Sequence, residues 1–114
     1  MDLNKQNSLY RANKAATLFH PKIRANQLAF LQAVALKPGS TQTELCQELG
    51  VTMSAISRNV DVFGSGKAKS KRHKCFALVK AERDQNDERL VLIYLTDEGE
   101  AFLELIENVV FKQS

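Results

Sequence analysis

Apolar residues recur every three or four positions over most of this chain, which is the spacing of one face of an α-helix. A first helix is predicted over residues 8–19, where the apolar positions are Leu9, Ala12, Ala16 and Phe19. Pro21 disfavours helical backbone at His20 and ends that helix. A second helix is predicted over residues 22–36, before Lys37-Pro38-Gly39. Because apolar residues cover most of its circumference, we expect it to be the central buried helix.

Two shorter helices are predicted within residues 41–64, joined by a tight turn at Leu49-Gly50-Val51. Thr41 with Glu44 three residues later matches a capping box, so the third helix is predicted to begin there. Thr52 is expected to cap the fourth helix, which Gly64 ends. Its apolar residues, predicted to face the core, are Met53, Ile56, Val60 and Phe63. The pattern is that of a helix-turn-helix.

The outward face of the fourth helix is left with small and polar residues. Near its start these are Ser54, Ala55, Ser57 and Arg58, followed by Asn59 and Asp61. Small side chains followed by an arginine suit a helix end that approaches the base edges of a DNA groove closely. The same residue types are ordinary on any solvent-exposed helix, so this face alone leaves both interpretations open.

The character of the chain changes after Gly64. Residues 65–75 lack an apolar period and are rich in lysine, which predicts a loop or a poorly ordered extension. Strand-forming residues at 76–80 and 90–95 flank a polar stretch, which predicts a β-hairpin over residues 76–95 with a long tip. Thr96 is expected to cap a last helix whose apolar residues are Phe102, Leu103, Leu105, Ile106, Val109 and Val110. That number exceeds one core-facing stripe, so this helix either is buried on two sides or packs against a second copy of the chain.

The length of 114 residues suits one hydrophobic core, so we expect a single domain over residues 1–114. Its net charge of +3 conceals a separation of charge. Residues 64–83 have seven Lys or Arg against one Asp or Glu, whereas residues 84–114 have two against eight. A compact basic segment indicates a polyanionic partner on one face, although lysines in a solvated, flexible loop give the same pattern.

Several classes of protein do not fit the sequence. The chain shows no signal peptide, and its longest apolar stretch, residues 28–36, is far short of the roughly 20 residues that span a membrane, so we expect a cytoplasmic location without membrane contact. Cys46 and Cys75 show no pairing pattern, and His73 has no zinc-like spacing with other ligands, so we expect reduced thiols and neither metal nor cofactor.

An enzyme is not expected either. No nucleophile with a base and no paired carboxylates occur at a usable spacing. Gly64-Ser65-Gly66-Lys67 lacks both the preceding strand and the following Ser or Thr of a P-loop.

Three pieces of the sequence resemble the MarR family of winged-helix transcription regulators. They are the helix pair over residues 41–63, the segment Leu78-Val79-Lys80 that enters the wing, and the run from Asp87-Glu88-Arg89 to Leu95-Thr96-Asp97-Glu98-Gly99. The last is the most specific, because it pairs Asp-x-Arg at a wing tip with Leu-Thr-x-x-Gly at the start of the closing helix. The resemblance covers roughly residues 27–104 and implies a mainly α fold with a small β-hairpin, a winged helix-turn-helix.

This resemblance implies a sequence-specific regulator of transcription, expected to be a repressor, that binds double-stranded DNA. In the family the helix after the turn enters the major groove, which assigns DNA contacts to Ser54, Ala55, Ser57 and Arg58. The wing arginine enters the minor groove, which assigns that role to Arg89 and an orienting role to Asp87. A hairpin-tip salt bridge with no ligand is the alternative explanation of that pair. The further expected DNA contacts are Thr41, Thr43, Thr52, Lys67, Lys69, Lys71, Arg72, Lys74 and Arg83.

Two departures from the family pattern affect the expected partners. Residues 65–75 place about ten more positions between recognition helix and wing than relatives have. The terminal segments, residues 1–21 and 97–114, are short where relatives build their dimer interface and effector pocket. We expect a homodimer through these segments and do not expect a small-molecule effector. The competing hypothesis is a winged-helix module that binds another protein through its acidic, apolar last helix.

Overall fold

The computed structural model describes residues 1–64 and 77–111, and in these residues the chain forms five helices and one hairpin. The elements are α1 Leu3–Phe19, α2 Ala25–Leu36, α3 Gln42–Leu49, α4 Met53–Phe63, β1 Val79–Arg83, β2 Val91–Leu95 and α5 Asp97–Phe111. This order confirms the predicted winged helix-turn-helix. None of these helices combines the length and the apolar character needed to cross a membrane.

The core is built around α2, as the pattern of its residues predicts. Phe30, Leu31 and Val34 of α2 are fully buried. Around them lie the buried side chains of the other elements: Leu45, Ile56, Phe63, Val79 and Ile93. Phe30 stacks on Phe63 with ring centroids 6.2 Å apart, which joins α2 to the end of α4. The central helix therefore fixes the position of the helix-turn-helix.

The helix α1 begins earlier and faces differently than predicted. It starts at Leu3 rather than residue 8, because the Asp2 carboxylate accepts hydrogen bonds from the backbone N–H groups of Asn4 and Lys5 at 2.9 and 3.2 Å. Leu9 and Phe19, predicted to face the core, are at least half exposed. The buried residues of α1 are the small Ala15 and Ala16. The face of α1 that packs on the core is therefore formed by these alanines and not by the larger apolar side chains.

Other boundaries also shift from the sequence prediction. The helix α2 begins at Ala25, because Ile23 still lies in a turn and donates to the His20 carbonyl at 3.0 Å. The strand β1 begins at Val79 and continues through polar residues to Arg83, which pairs with Val91. Hydrogen bonding to β2 therefore continues β1 beyond the apolar residues from which the strand was predicted.

The hairpin is attached to both helices of the helix-turn-helix. Ser40, just before α3, forms an isolated bridge with Ile93, which donates to the Ser40 carbonyl at 2.9 Å. At the end of α4, the Phe63 carbonyl accepts from the N–H of Leu78 at 2.8 Å. The wing thus has a fixed base beside α3 and α4.

The Leu-Thr-x-x-Gly sequence joins the wing to α5. The Thr96 hydroxyl accepts from the N–H of Gly99 at 3.0 Å and donates to the Ala77 carbonyl. The Thr96 N–H donates to the Leu78 carbonyl at 3.0 Å. A Cβ atom on Gly99 would collide with that same carbonyl group, so only glycine permits this close approach.

Candidate nucleic-acid interface

The two helices of the helix-turn-helix are held by local hydrogen bonds. The Thr41 hydroxyl accepts from the Glu44 N–H at 3.2 Å, while the Glu44 carboxylate accepts from the N–H and hydroxyl of Thr41, each at 3.1 Å. The backbone bond and then the hydroxyl bond hold the pKa of Glu44 below its usual value. Gly50 adopts the left-handed conformation with φ 65°, and Thr52 accepts from the Ala55 N–H at 3.1 Å. These contacts confirm the predicted caps and turn.

The orientation of α4 is partly as predicted. Ile56 and Phe63 are buried, and Val60 packs against the core. Met53, predicted to be an anchor, is 49% exposed, and Asn59, predicted to face outward, is buried. Asn59 lies three residues after Ile56 and four before Phe63, so it belongs to their inner stripe. Met53 occupies the first turn, where the helix extends past the core.

An open depression of about 500 Å³ lies along the outward face of α4 and the start of α3. Its lining residues are Gln42, Met53, Ser54, Ser57, Arg58 and Asp61. The structure therefore brings together Ser54, Ser57 and Arg58, three of the residues that the sequence assigns to a DNA contact. Ala55 is half-buried beside the Thr52 cap and does not line the depression.

Two residues that line this depression were not predicted from the sequence to belong to the site. Gln42 is the first residue of α3, and the packing of α3 on α4 was needed to place it beside Ser54. Met53 was assigned to the core because apolar spacing alone cannot tell a helix end from its middle. Together they add one amide and one thioether to the surface.

The predicted threonine contacts differ in their hydrogen bonds. The Thr41 hydroxyl already donates to Glu44. Thr52 uses only its oxygen in the cap, so its hydroxyl hydrogen can still donate to a phosphate. Thr43 is exposed in the first turn of α3. Thr52 and Thr43 are therefore better placed than Thr41 for phosphate contacts.

At the wing tip, Asp87 orients Arg89. The Arg89 Nε and Nη2 atoms lie 3.1 and 3.3 Å from the two carboxylate oxygens of Asp87, and the Arg89 N–H donates to Oδ1 at 3.1 Å. The side-chain bond and then the backbone bond from Arg89 hold the pKa of Asp87 below its usual value. The Arg89 side chain is 89% exposed. The geometry presents a directed guanidinium to the solvent.

Arg83 has a partner within the same tip. Its guanidinium donates to the Glu88 carbonyl at 2.8 Å, and the Asp84 carboxylate accepts from the N–H of Asn86 at 2.8 Å. These bonds stabilise the loop that positions Arg89. Arg83 was predicted to contact DNA, and in the structure its bond to Glu88 gives it a role in the conformation of the tip.

The remaining predicted cations lie outside the described residues; they are Lys67, Lys69, Lys71, Arg72 and Lys74. Cys75 and His73 lie there too. Over residues 1–64 and 77–111, no three His, Cys, Asp or Glu side chains are grouped in a way that could hold a metal ion.

Comparisons with known proteins show which solved structures the fold resembles. No family model and no curated relative matches the chain. MarR from E. coli in its apo form aligns with a TM-score of 0.67 and 25% identity, covering 96% of this chain and 73% of MarR. A cysteine-to-serine variant of the same protein, complexed with operator DNA, aligns with a TM-score of 0.68 and 24% identity over 96% of this chain and 70% of its own.

A third solved structure is a MepR variant from S. aureus bound to an oligodeoxyribonucleotide. It aligns with a TM-score of 0.65 and 23% identity over 94% of this chain and 72% of its own. The chain therefore has the MarR-like winged-helix fold, which confirms the resemblance that its motifs indicated. The matched structures with this fold include a MarR family transcription regulator and the transcriptional regulator Tm0710 from Thermotoga maritima.

Proposed function

We propose that this chain is a sequence-specific regulator of transcription that binds double-stranded DNA and acts as a repressor, not an enzyme. One observation supports it most strongly: the outward face of α4 and the start of α3 form one open surface on which small and polar side chains lie beside Arg58, with Asp61 and Met53 also lining it. A helix presented in this way can enter the major groove.

The individual contacts follow from the chemistry of this surface. Ser54, Ser57 and Arg58 would read base edges, because a guanidinium and hydroxyls match the donors and acceptors of the major groove. Thr43 and Thr52 would donate to phosphates. Arg89 would enter the adjacent minor groove, where negative potential attracts a guanidinium. Lysines and the arginine of residues 65–75 would add phosphate contacts.

The DNA-bound neighbours support this assignment. The variant of E. coli MarR is complexed with operator DNA, and the S. aureus MepR variant is bound to an oligodeoxyribonucleotide. The chain aligns with both over more than nine-tenths of its length. The position of α4 and of the wing in that shared fold makes DNA the partner that best fits the surface described above.

We also propose that the chain acts as a homodimer. An apolar groove of about 750 Å³ lies between α1, α2 and α5, far richer in apolar than in polar surface. Several of its lining side chains are exposed, including Leu9 at 57%, Leu36 at 81% and Phe111 at 74%. An apolar surface of this kind is typical of a protein interface. A second copy of the chain is the occupant that suits a two-fold DNA site.

A salt titration tests the DNA assignment. If roughly six cationic groups contact phosphates, a plot of log K against log salt concentration should have a slope of about −5. The measurement uses the whole chain and a mixed-sequence duplex, with fluorescence anisotropy as the readout. A slope indistinguishable from zero, or no binding at low salt, would contradict the proposal.

The competing function is binding of another protein through α5. Leu105 and Val109 are 43% and 38% exposed on a helix whose first turn has three acidic residues, so part of its apolar surface is uncovered. Replacing Arg58 and Arg89 by alanine distinguishes the two functions. Loss of cellular regulation in that double variant supports DNA binding, and unchanged regulation supports a protein partner.

A further inference from the structure

Met53 is an apolar side chain among the mainly polar residues that line the α3–α4 depression. It is the first residue of α4, is 49% exposed, and lines the same depression as Ser54, Ser57 and Arg58. The core of α4 is completed by Ile56 and Phe63 without it. An exposed thioether at this position therefore needs a different explanation from core packing.

The position of the Met53 side chain is directed by a neighbour. The thiol of Cys46, in α3, donates to the Met53 sulfur with an Sγ to Sδ distance of 3.2 Å. Cys46 itself packs against the hydrophobic core. The sulfur of Met53 is thus held near α3, while the residue as a whole remains half exposed.

The chemistry of the major groove offers one apolar group on the base edges, the C5-methyl group of thymine. The hydroxyls of Ser54 and Ser57 form no hydrogen bond with it, whereas an unbranched, polarisable thioether adapts its shape to a methyl group. The start of a recognition helix is the part that contacts base edges. Met53 meets these requirements of place, exposure and chemistry.

We propose that Met53 determines specificity by contacting the C5-methyl group of a thymine in each half of the DNA site. The proposal rests on the proposed function. It adds one apolar contact to the hydrogen bonds expected from Ser54, Ser57 and Arg58.

The test removes single methyl groups from DNA. Duplexes are selected from a random pool with the whole chain, and each thymine of the selected site is replaced in turn by deoxyuridine, which lacks only the methyl. Dissociation constants are compared for the wild type, Met53→Ala and Met53→Leu. Val62→Ala is the matched control, because Val62 is an apolar residue of α4 that is 36% exposed and does not line the depression.

The expected result is one thymine per half-site at which deoxyuridine weakens wild-type binding about fourfold, the value of one buried methyl group. Met53→Ala should bind the thymine and deoxyuridine duplexes equally at that position. Met53→Leu should keep most of the discrimination, and Val62→Ala should keep all of it.

Two results would overturn the inference while leaving DNA binding intact. One is a wild type that binds the selected site with no methyl-dependent position. The other is a Met53→Ala variant with undiminished methyl dependence. Failure of the proposed function looks different, since the wild type would then bind no duplex at all, and the inference about Met53 would fall with it.

Discussion

Asp87 and Arg89 act as a pair at the tip of the wing. Two side-chain bonds and one backbone bond fix the direction of the guanidinium while leaving it exposed. A side chain that is already ordered loses less conformational entropy when it binds. We therefore propose that Asp87 orders the Arg89 side chain in advance of DNA binding.

Removing the orienting carboxylate should weaken DNA binding without unfolding the wing. We expect Asp87→Ala to reduce affinity for a selected duplex about threefold to tenfold, because Arg89 must then be ordered during binding. The melting temperature should change little, since an exposed pair contributes little to stability. Glu82→Ala is the control, as Glu82 pairs with Lys80 on the same hairpin at 3.4 Å. Equal affinity of Asp87→Ala and wild type would contradict this role.

Glu44 gives the capping box of α3 a pH dependence. Its pKa is lowered in the folded chain, so its contribution to stability is fully present above the ordinary value of 4.5 and is lost as the pH falls through the lowered value. Glu44→Gln keeps a capping oxygen but does not titrate. Thermal melts between pH 6 and about pH 3 should show a larger loss for wild type than for this variant. Parallel pH profiles for the two proteins would exclude the assignment.

Single residues also mark where sequence patterns reach their limit. Spacing placed Ile56, Val60 and Phe63 on the inner side of α4 correctly. The prediction was wrong for Met53, which is exposed, and for Asn59, which is buried, because it gave residue type more weight than position along the helix. A buried asparagine and an exposed methionine can be recognised only when the ends of the core are known.

Among the secondary-structure elements, α5 is packed against the base of the wing through Thr96 and Gly99. The Thr96 hydroxyl joins the first turn of α5 to Ala77, just before β1, and the missing side chain of Gly99 lets the backbone of α5 approach that of Leu78. This contact explains in physical terms why Leu-Thr-x-x-Gly is a useful motif.

Gly99→Ala should destabilise the folded chain for this reason. The added Cβ collides with the Leu78 carbonyl, so backbone must move, and we expect a loss of about 1–3 kcal/mol in the free energy of unfolding. Urea denaturation measures it. Glu98→Ala, at the exposed neighbouring position, is the control and should change stability far less. A Gly99→Ala protein as stable as wild type would show that α5 is not fixed by this contact.

The elements were predictable in number and order but not at their ends. Caps of the Thr41 and Thr52 type are encoded within a few residues and were found from the sequence. The start of α1 depended on Asp2, which precedes any apolar repeat, and the end of β1 depended on pairing with β2. Interactions across the fold set these boundaries, and local patterns do not contain them.

At the scale of the whole molecule, two surfaces have separate chemistry. The α3–α4 surface is lined mainly by small and polar side chains, whereas the groove between α1, α2 and α5 is lined mainly by apolar ones. A dimer through the groove would present two copies of α4 to one duplex. We expect the recognition helices of such a dimer to lie about one helical turn of DNA apart on a pseudo-palindromic site.

Dimerisation can be tested by placing a charge in the groove. We expect the wild type to sediment as a dimer and Leu36→Glu to sediment as a monomer, because a buried unpaired carboxylate is strongly unfavourable at an apolar interface. Leu18→Glu is the matched control, since Leu18 is 70% exposed and does not line the groove. A monomeric wild type, or a dimeric Leu36→Glu variant, would contradict the proposed interface.

The duplex affinity of arginine variants is the most direct test of DNA binding by the outward face of α4 and the wing tip. On a selected duplex, Arg58→Ala and Arg89→Ala should each lose at least about tenfold in affinity, and Arg58→Ala should also relax sequence preference. Lys14→Ala removes an exposed charge from α1 and should bind like the wild type. Wild-type affinity in both arginine variants would show that these two surfaces do not bind DNA.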